Sequence, residues 1–185
     1  QVAACGAHAV KLQSFTPEKY ASSSNIERLE RVRKFSLSEN DHKELAGFAH
    51  KLGIGFCSTP LSEDWVETLA SLSGAIKIAS GDIDFQPVIA SAARTNLPII
   101  LSTGCSDALE VDAAVKLISD IRGSEETAKS LALMHCVSQY PANLEDCNLT
   151  SIKFMAERYG LVVGWSNHVV GPLAYYAAVG MGAKV

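Results

Sequence analysis

Two lysines interrupt runs that are otherwise apolar: Lys11 in HAVKLQSF (8–15) and Lys77 in AIKIAS (75–80). A lysine inside an apolar β run is costly unless its ammonium meets an anion or lines a wet opening. Both therefore mark places where a charged ligand could bind. Polar residues gather late in the other β-like runs as well. Ser58-Thr59 close one run, Ser80 follows Lys77, and Ser102-Thr103 close another; His135, Ser138 and Tyr140 lie at the end of a further one, and Ser166-Asn167-His168 end the last. Hydroxyls and loop N–H groups donate to phosphate or carboxylate oxygens, and ammonium groups balance their charge. A small phosphorylated or carboxylated substrate suits such a set. Any single strand serine is more commonly a core hydroxyl bonded to backbone, so the recurrence carries the argument.

The elements that must hold these residues repeat along the chain. Short apolar runs at 8–15, 53–60, 75–80, 98–103, 131–138 and 161–167 read as strands, several almost continuously apolar, as parallel strands covered on both faces are. Between them, residues 39–52 (Leu45, Phe48, Ala49, Leu52), 63–73 (Val66, Leu69, Leu72), 106–121 (Leu109, Ala113, Leu117, Ile118), 148–158 (Leu149, Ile152, Met155) and 172–180 carry helical periodicity. Ser62 before Glu63-Asp64, and Ser124 before Glu125-Glu126, read as helix N-caps, the second for a helix of about one turn. Residues 16–38, rich in serine and charge, read as a long loop. Alternating strands and helices predict a parallel α/β fold. In a (β/α)8 barrel all the strand ends face one mouth, where active sites lie, whereas an open doubly wound sheet spreads them along an edge. The barrel is the better fit. No GxGxxG follows the first strand and no GxxxxGK[ST] occurs, which removes support from nucleotide-binding α/β folds.

Composition narrows the class further. The chain has 185 residues, 48% hydrophobic and 19% charged, with a formal net charge of −4. That is enough for one domain with a core, and it offers no electrostatic attraction to nucleic acid or an anionic membrane. No apolar run reaches membrane-span length. Five cysteines without a CxxC pair read as free thiols of a reducing compartment. His135 and Cys136, neighbours on a strand, point to opposite faces and are not expected to form a thiolate–imidazole pair.

Taken in order, VKLQSF, FCSTP, KIASGD, ILSTG, LMHCVSQYP with a following NL, and GWSNHVVG resemble the strand-end motifs of the sialic acid synthase family, and AAVGMGAKV resembles the approach to its eighth strand. The resemblance covers nearly the whole chain. It implies a (β/α)8 barrel, incomplete here, holding about strands 2 to 7 and the start of strand 8. The chain would then be a barrel synthase domain over 1–185, truncated at both ends and without the family's C-terminal antifreeze-like domain. The implied reaction condenses phosphoenolpyruvate with an N-acetylated amino-sugar aldehyde such as N-acetylmannosamine, giving a sialic-acid-type nonulosonic acid and phosphate. A homodimer and a cytoplasmic location are implied with it.

Residue by residue, the resemblance implies that Lys11, Thr59, Lys77, Ser80, Ser102 and Ser166 bind phosphoenolpyruvate, and that Asn25, Ser138 and Tyr140 contact the sugar. His168 would hold a divalent ion, Mn2+ before Mg2+ or Co2+, and Lys77 and His168 would serve catalysis. Ser138 replaces an Asn of some members and Asn167 a common Asp; Trp165 and Cys105 are departures with no expected cost. Carbon 3 of phosphoenolpyruvate would attack the aldehyde, water would add at carbon 2, and phosphate would leave with C–O cleavage, by positioning and electrostatics without a protein nucleophile. Alternatives remain. Lys77 could be the Schiff-base lysine of a barrel aldolase, another phosphoenolpyruvate-dependent sugar synthase would fit the same residues, and a barrel without its metal site could be a sugar-binding protein. His135 could ligate a metal, although a core or mouth-facing hydrogen-bonded role suits it better.

Overall fold

The computed structural model describes residues 1–185. The chain divides into two compact units, residues 1–77 with 95–97, and residues 78–94 with 98–185. The first carries strand β1 (Ala9–Ser14), helices α1 (Pro17–Tyr20), α2 (Ile26–Phe35) and α3 (Glu39–Lys51), strand β2 (Gly55–Pro60), helix α4 (Asp64–Ala70) and most of strand β3 (Ile76–Ile78). The second carries helix α5 (Gln86–Arg94), strand β4 (Ile99–Ser102), helices α6 (Ala108–Arg122) and α7 (Ser124–Ser130), strand β5 (Leu131–Cys136), helix α8 (Thr150–Tyr159), strand β6 (Val162–Ser166) and helix α9 (Leu173–Gly180). Pairing is parallel throughout, β1 with β2 and β2 with β3 in the first unit, β4 with β5 and β5 with β6 in the second. Strand and helix alternate as the apolar runs predict, and the fold class is the incomplete (β/α)8 barrel.

In the first unit, Phe56 of β2 with Ala46 and Ala49 of α3 forms a buried cluster, and Val10, Leu12, Ile54 and Leu72 pack on it. The α3 face expected to be buried is displaced. Its buried residues are His42, Ala46 and Ala49, while Leu45, Phe48 and Leu52 remain exposed around an apolar hollow shared with Val2, Val10 and Leu12. Ser38 begins α3 as a full capping box with Asp41. Ser62 does not cap α4, which starts at Asp64 behind Glu63 without a side-chain cap. The segment read as a loop contains α1 and α2, whose small core is Ala21, Leu29 and Val32 with Phe15 against it. Asn25 caps α2, its Oδ1 accepting the Arg28 N–H at 3.0 Å. Charge hid this helix: only Leu29 and Val32 of it are buried, and Arg33 pairs with Glu18 and Glu30.

In the second unit, Leu101, Leu133 and Val163 are buried side by side in register, Leu101 opposite Leu133 and Leu133 opposite Val163. Helix α5, unmarked in the sequence reading, buries Val88, Ile89, Ala92 and Ala93. Arg122 at the end of α6 ties it down, donating to the carbonyls of Ala93 and Ala92 at 2.9 Å each and to Ser130 Oγ at 3.0 Å. Ser124 is the first residue of α7 and Gly123 its cap, and α7 runs 7 residues where a single turn was expected. After α9 the chain turns back beside β6: Lys184 N–H donates to Val163 O and Trp165 N–H to Val185 O, each at 2.9 Å. Lys184 and Val185 thus begin a further parallel pairing, where the last motif predicted the approach to a strand.

Candidate functional site

Side chains alternate along a strand, so the residues packed on α3 fix which ones face away from it. Val10, Leu12 and Phe56 take the helix side. Lys11 and Gln13 of β1, and Cys57 and Thr59 of β2, therefore share the opposite face, with Lys11 level with Cys57 and Gln13 level with Thr59. On β3 the fully buried Ile76 and Ile78 bracket Lys77, which lies on that same face. Both ammonium charges act on Cys57. Burial pushes the Cys57 thiol up, and the charges of Lys11 and Lys77, with the Lys77 N–H, act against that rise. Two cations and the buried hydroxyl of Thr59 are thus set on one strand face of the first unit. Behind it, a buried chain of hydrogen bonds links Ser58 Oγ to Ser14 Oγ at 2.7 Å and Ser14 Oγ to His42 Nε2 at 2.6 Å, and His42 Nδ1–H donates to Ser38 O at 2.8 Å. Asn25 lies apart from this face as the cap of α2.

The second unit repeats the logic. Trp165 and His135 are in register and their rings pack at 5.1 Å, which puts Cys136 and Ser166, also in register, on the other face. Ser102 is level with Met134 and joins them there. Ser80, opening a short turn of 3-10 helix after β3, accepts the Gly104 N–H at 3.0 Å and lies 3.1 Å from Cys136 Sγ. A Cβ on Gly104 would stand 2.6 Å from Ser138 Oγ and 2.9 Å from both Cys136 Sγ and Ser80 Oγ. Ser80, Cys136 and Ser138 therefore converge on one backbone position where any Cβ would force them to shift. Nearby, Ser166 Oγ is 3.1 Å from His168 Nε2, and the Tyr140 ring packs on the His168 ring at 4.3 Å. Cys136 and Gly104 were not singled out in the sequence; the signal was there, since each lies inside a motif whose serines were.

Three expectations are corrected. A divalent metal at His168 is not supported: no group of three His, Cys, Asp or Glu side chains comes together to hold one. His168 instead faces a serine hydroxyl and a tyrosine ring. Asn167 turns its Oδ1 back onto the Val169 N–H at 3.0 Å, and His135 Nε2–H donates to Cys147 O at 2.8 Å as a core histidine does. Cys105 and Trp165 do carry costs. Cys105 is left-handed, with φ 58°, a conformation that costs a non-glycine residue about 1 kcal/mol. Trp165 buries its indole Nε1 without a hydrogen-bond partner. Cys105 lines a hollow of about 370 Å³ with Ser106, Ser138, Asn148, Ser151 and Phe154, and Asn148, φ 43°, is the other left-handed non-glycine residue.

Comparison with known proteins decides the family, because the NeuB family profile matches residues 1–185. The chain belongs to the NeuB family. It is 38% identical over 194 aligned residues to N,N'-diacetyllegionaminic acid synthase of Legionella pneumophila, covering 97% of this chain and 54% of that protein. It is 32% identical to N-acetylneuraminate-9-phosphate synthase of Drosophila melanogaster, covering 97% and 51%. Among solved structures, N-acetylneuraminic acid synthetase of Leptospira borgpetersenii, crystallised with citrate, superimposes with a TM-score of 0.90 at 29% identity, covering 99% of this chain and 62% of that one. The chain spans about half the length of the curated relatives it matches, 52% and 57% in two further cases. No helix is long and apolar enough to cross a membrane.

Proposed function

We propose that the natural polypeptide carrying this NeuB-family chain condenses phosphoenolpyruvate with an N-acetylated amino-sugar aldehyde, giving a sialic-acid-type nonulosonic acid and phosphate. The observation that carries this reading is the pair Lys11 and Lys77, which share one strand face and both act on the Cys57 thiol between them in strand order. Phosphoenolpyruvate bears a phosphate and a carboxylate, and two cations suit two anionic groups. Thr59 adds a hydroxyl to that face, and the second unit by itself carries the hydroxyls of Ser80, Ser102 and Ser166 at or just after its strands. The synthase activities of the Legionella and Drosophila relatives, and the tricarboxylate bound to the Leptospira protein, are in keeping with it.

In this reading Lys11 and Lys77 hold the enol phosphate and its carboxylate so that carbon 3 faces the aldehyde carbon. The C3–C bond forms as the aldehyde oxygen gains a proton, positive charge develops at carbon 2, and the lysine-bound anions offset it. Water adds at carbon 2 and phosphate leaves with C–O cleavage, so one aldehyde, one phosphoenolpyruvate and one water give one nonulosonic acid and one phosphate. The same reading assigns the sugar to Ser138 and to Tyr140, whose ring packs on His168. The test is phosphate release by the natural polypeptide, using phosphoenolpyruvate labelled with 18O at the bridging oxygen. Offered sugars are N-acetylmannosamine and 2,4-diacetamido hexoses. Sugar-dependent release with the label in phosphate is expected. Label kept in the sugar product, or irreversible trapping of Lys77 by borohydride with a carbonyl substrate, would contradict the reading and favour aldolase chemistry.

A further inference from the structure

The contacts of Ser80 place a demand on Cys136 that goes beyond the assignment of Ser80 to phosphoenolpyruvate. A serine hydroxyl has one proton to donate and two lone pairs to accept with. The Gly104 N–H can only donate, and it takes one lone pair of Ser80 Oγ at 3.0 Å. Cys136 Sγ lies 3.1 Å away, and either of the two groups can be the donor in that contact. If Ser80 donated to sulfur, its single proton would be spent inside the protein. It would then present nothing that an anion could accept. If Cys136 donates, both lone pairs of Ser80 are filled and its O–H proton must point elsewhere, which makes Ser80 a pure donor. A phosphate or carboxylate oxygen is acceptor-only and selects the second arrangement.

We infer that Cys136 is a positioning residue: its thiol donates to Ser80 Oγ and, with the Gly104 N–H, turns the Ser80 hydroxyl proton outward onto an anionic oxygen of the substrate. The inference rests on the proposed binding of phosphoenolpyruvate by Ser80. Geometry fixes the arrangement from a second side. The three side-chain atoms that a Gly104 Cβ would strike are the Ser80, Cys136 and Ser138 heteroatoms. Glycine at 104 therefore brings Cys136 Sγ and Ser80 Oγ together across bare backbone. Cys136 also lies level with Ser166, another hydroxyl on the same strand face. Nothing in this role needs a thiolate; it needs the S–H proton.

A double-mutant cycle in the natural polypeptide tests it, read as phosphoenolpyruvate KM and kcat with each variant's thermal midpoint measured alongside. Loss of the contact that orients a hydroxyl toward a charged acceptor predicts that Cys136→Ala raises the KM for phosphoenolpyruvate about tenfold with kcat within about twofold. Cys136→Ser, which keeps a proton in nearly the same place, restores most of the affinity. In a Ser80→Ala background, Cys136→Ala then has no further effect on KM, because there is no hydroxyl left to orient. Three results overturn the inference: an unchanged KM in Cys136→Ala, equal losses in Cys136→Ala and Cys136→Ser, or an undiminished Cys136→Ala effect without Ser80. A wild-type protein that neither binds nor consumes phosphoenolpyruvate overturns the functional reading itself and the inference with it. A wild-type protein that does so, with an indifferent Cys136, leaves the functional reading standing.

Discussion

His42 is fully buried, and both of its ring nitrogens are engaged. The Ser38 carbonyl only accepts, so Nδ1 carries a proton, while Nε2 meets Ser14 Oγ, which in turn meets Ser58 Oγ. The ring also packs on Trp65 at 4.7 Å. One histidine thus pins the ends of β1 and β2, next to Thr59 of the candidate site. His42→Ala would open a cavity and remove one of the two partners of the Ser14 hydroxyl, costing about 3 kcal/mol. An unfolding free energy from urea titration that falls by less than about 1 kcal/mol would show the chain of hydrogen bonds to be incidental. Most of the candidate site was readable at this scale. Lys11, Thr59 and Lys77 stood out because a charge or hydroxyl late in an apolar run needs a reason. Cys136 and Gly104 did not, because a thiol is an ordinary core residue and a glycine's role depends on what surrounds it.

At the scale of elements, strands and most helices followed from periodicity, and the exceptions have physical causes. Helix α2 is held by a cap, two buried residues and ion pairs rather than by an apolar face, so its pattern resembled a loop. The apolar stripe on α3 predicted burial of Leu45, Phe48 and Leu52, but these line an open apolar hollow and stay exposed, and the smaller Ala46 and Ala49 face the sheet instead. Metal binding at His168 was a family expectation with no element behind it, since ligation needs partners that converge in space. Arg122 helps finish the C-terminus of helix α5, its guanidinium donating to two carbonyls and to Ser130. Lysine is a point charge and cannot span three acceptors. Arg122→Lys should therefore cost about 1–3 kcal/mol in chemical denaturation despite keeping the charge. A variant as stable as the parent would mean that the carbonyls of Ala92 and Ala93 are satisfied without the fork.

For the molecule as a whole, each unit turns one strand face to helices and sets its chemistry on the other, cations in the first and hydroxyls in the second. Membership of the NeuB family extends over all 185 residues, while the chain covers 54% of the Legionella relative, so activity belongs to the natural polypeptide as a proposal. The account stands or falls on the paired lysines. The most direct test is the equilibrium affinity of the natural polypeptide for phosphoenolpyruvate, measured by titration calorimetry for the parent, Lys11→Ala and Lys77→Ala. A charge-assisted bond is worth about 1.5–3 kcal/mol, so on the proposed binding each substitution should weaken affinity about 10- to 100-fold, with the loss shrinking as salt is raised. Affinities unchanged by either substitution, in variants that remain folded, would contradict the account.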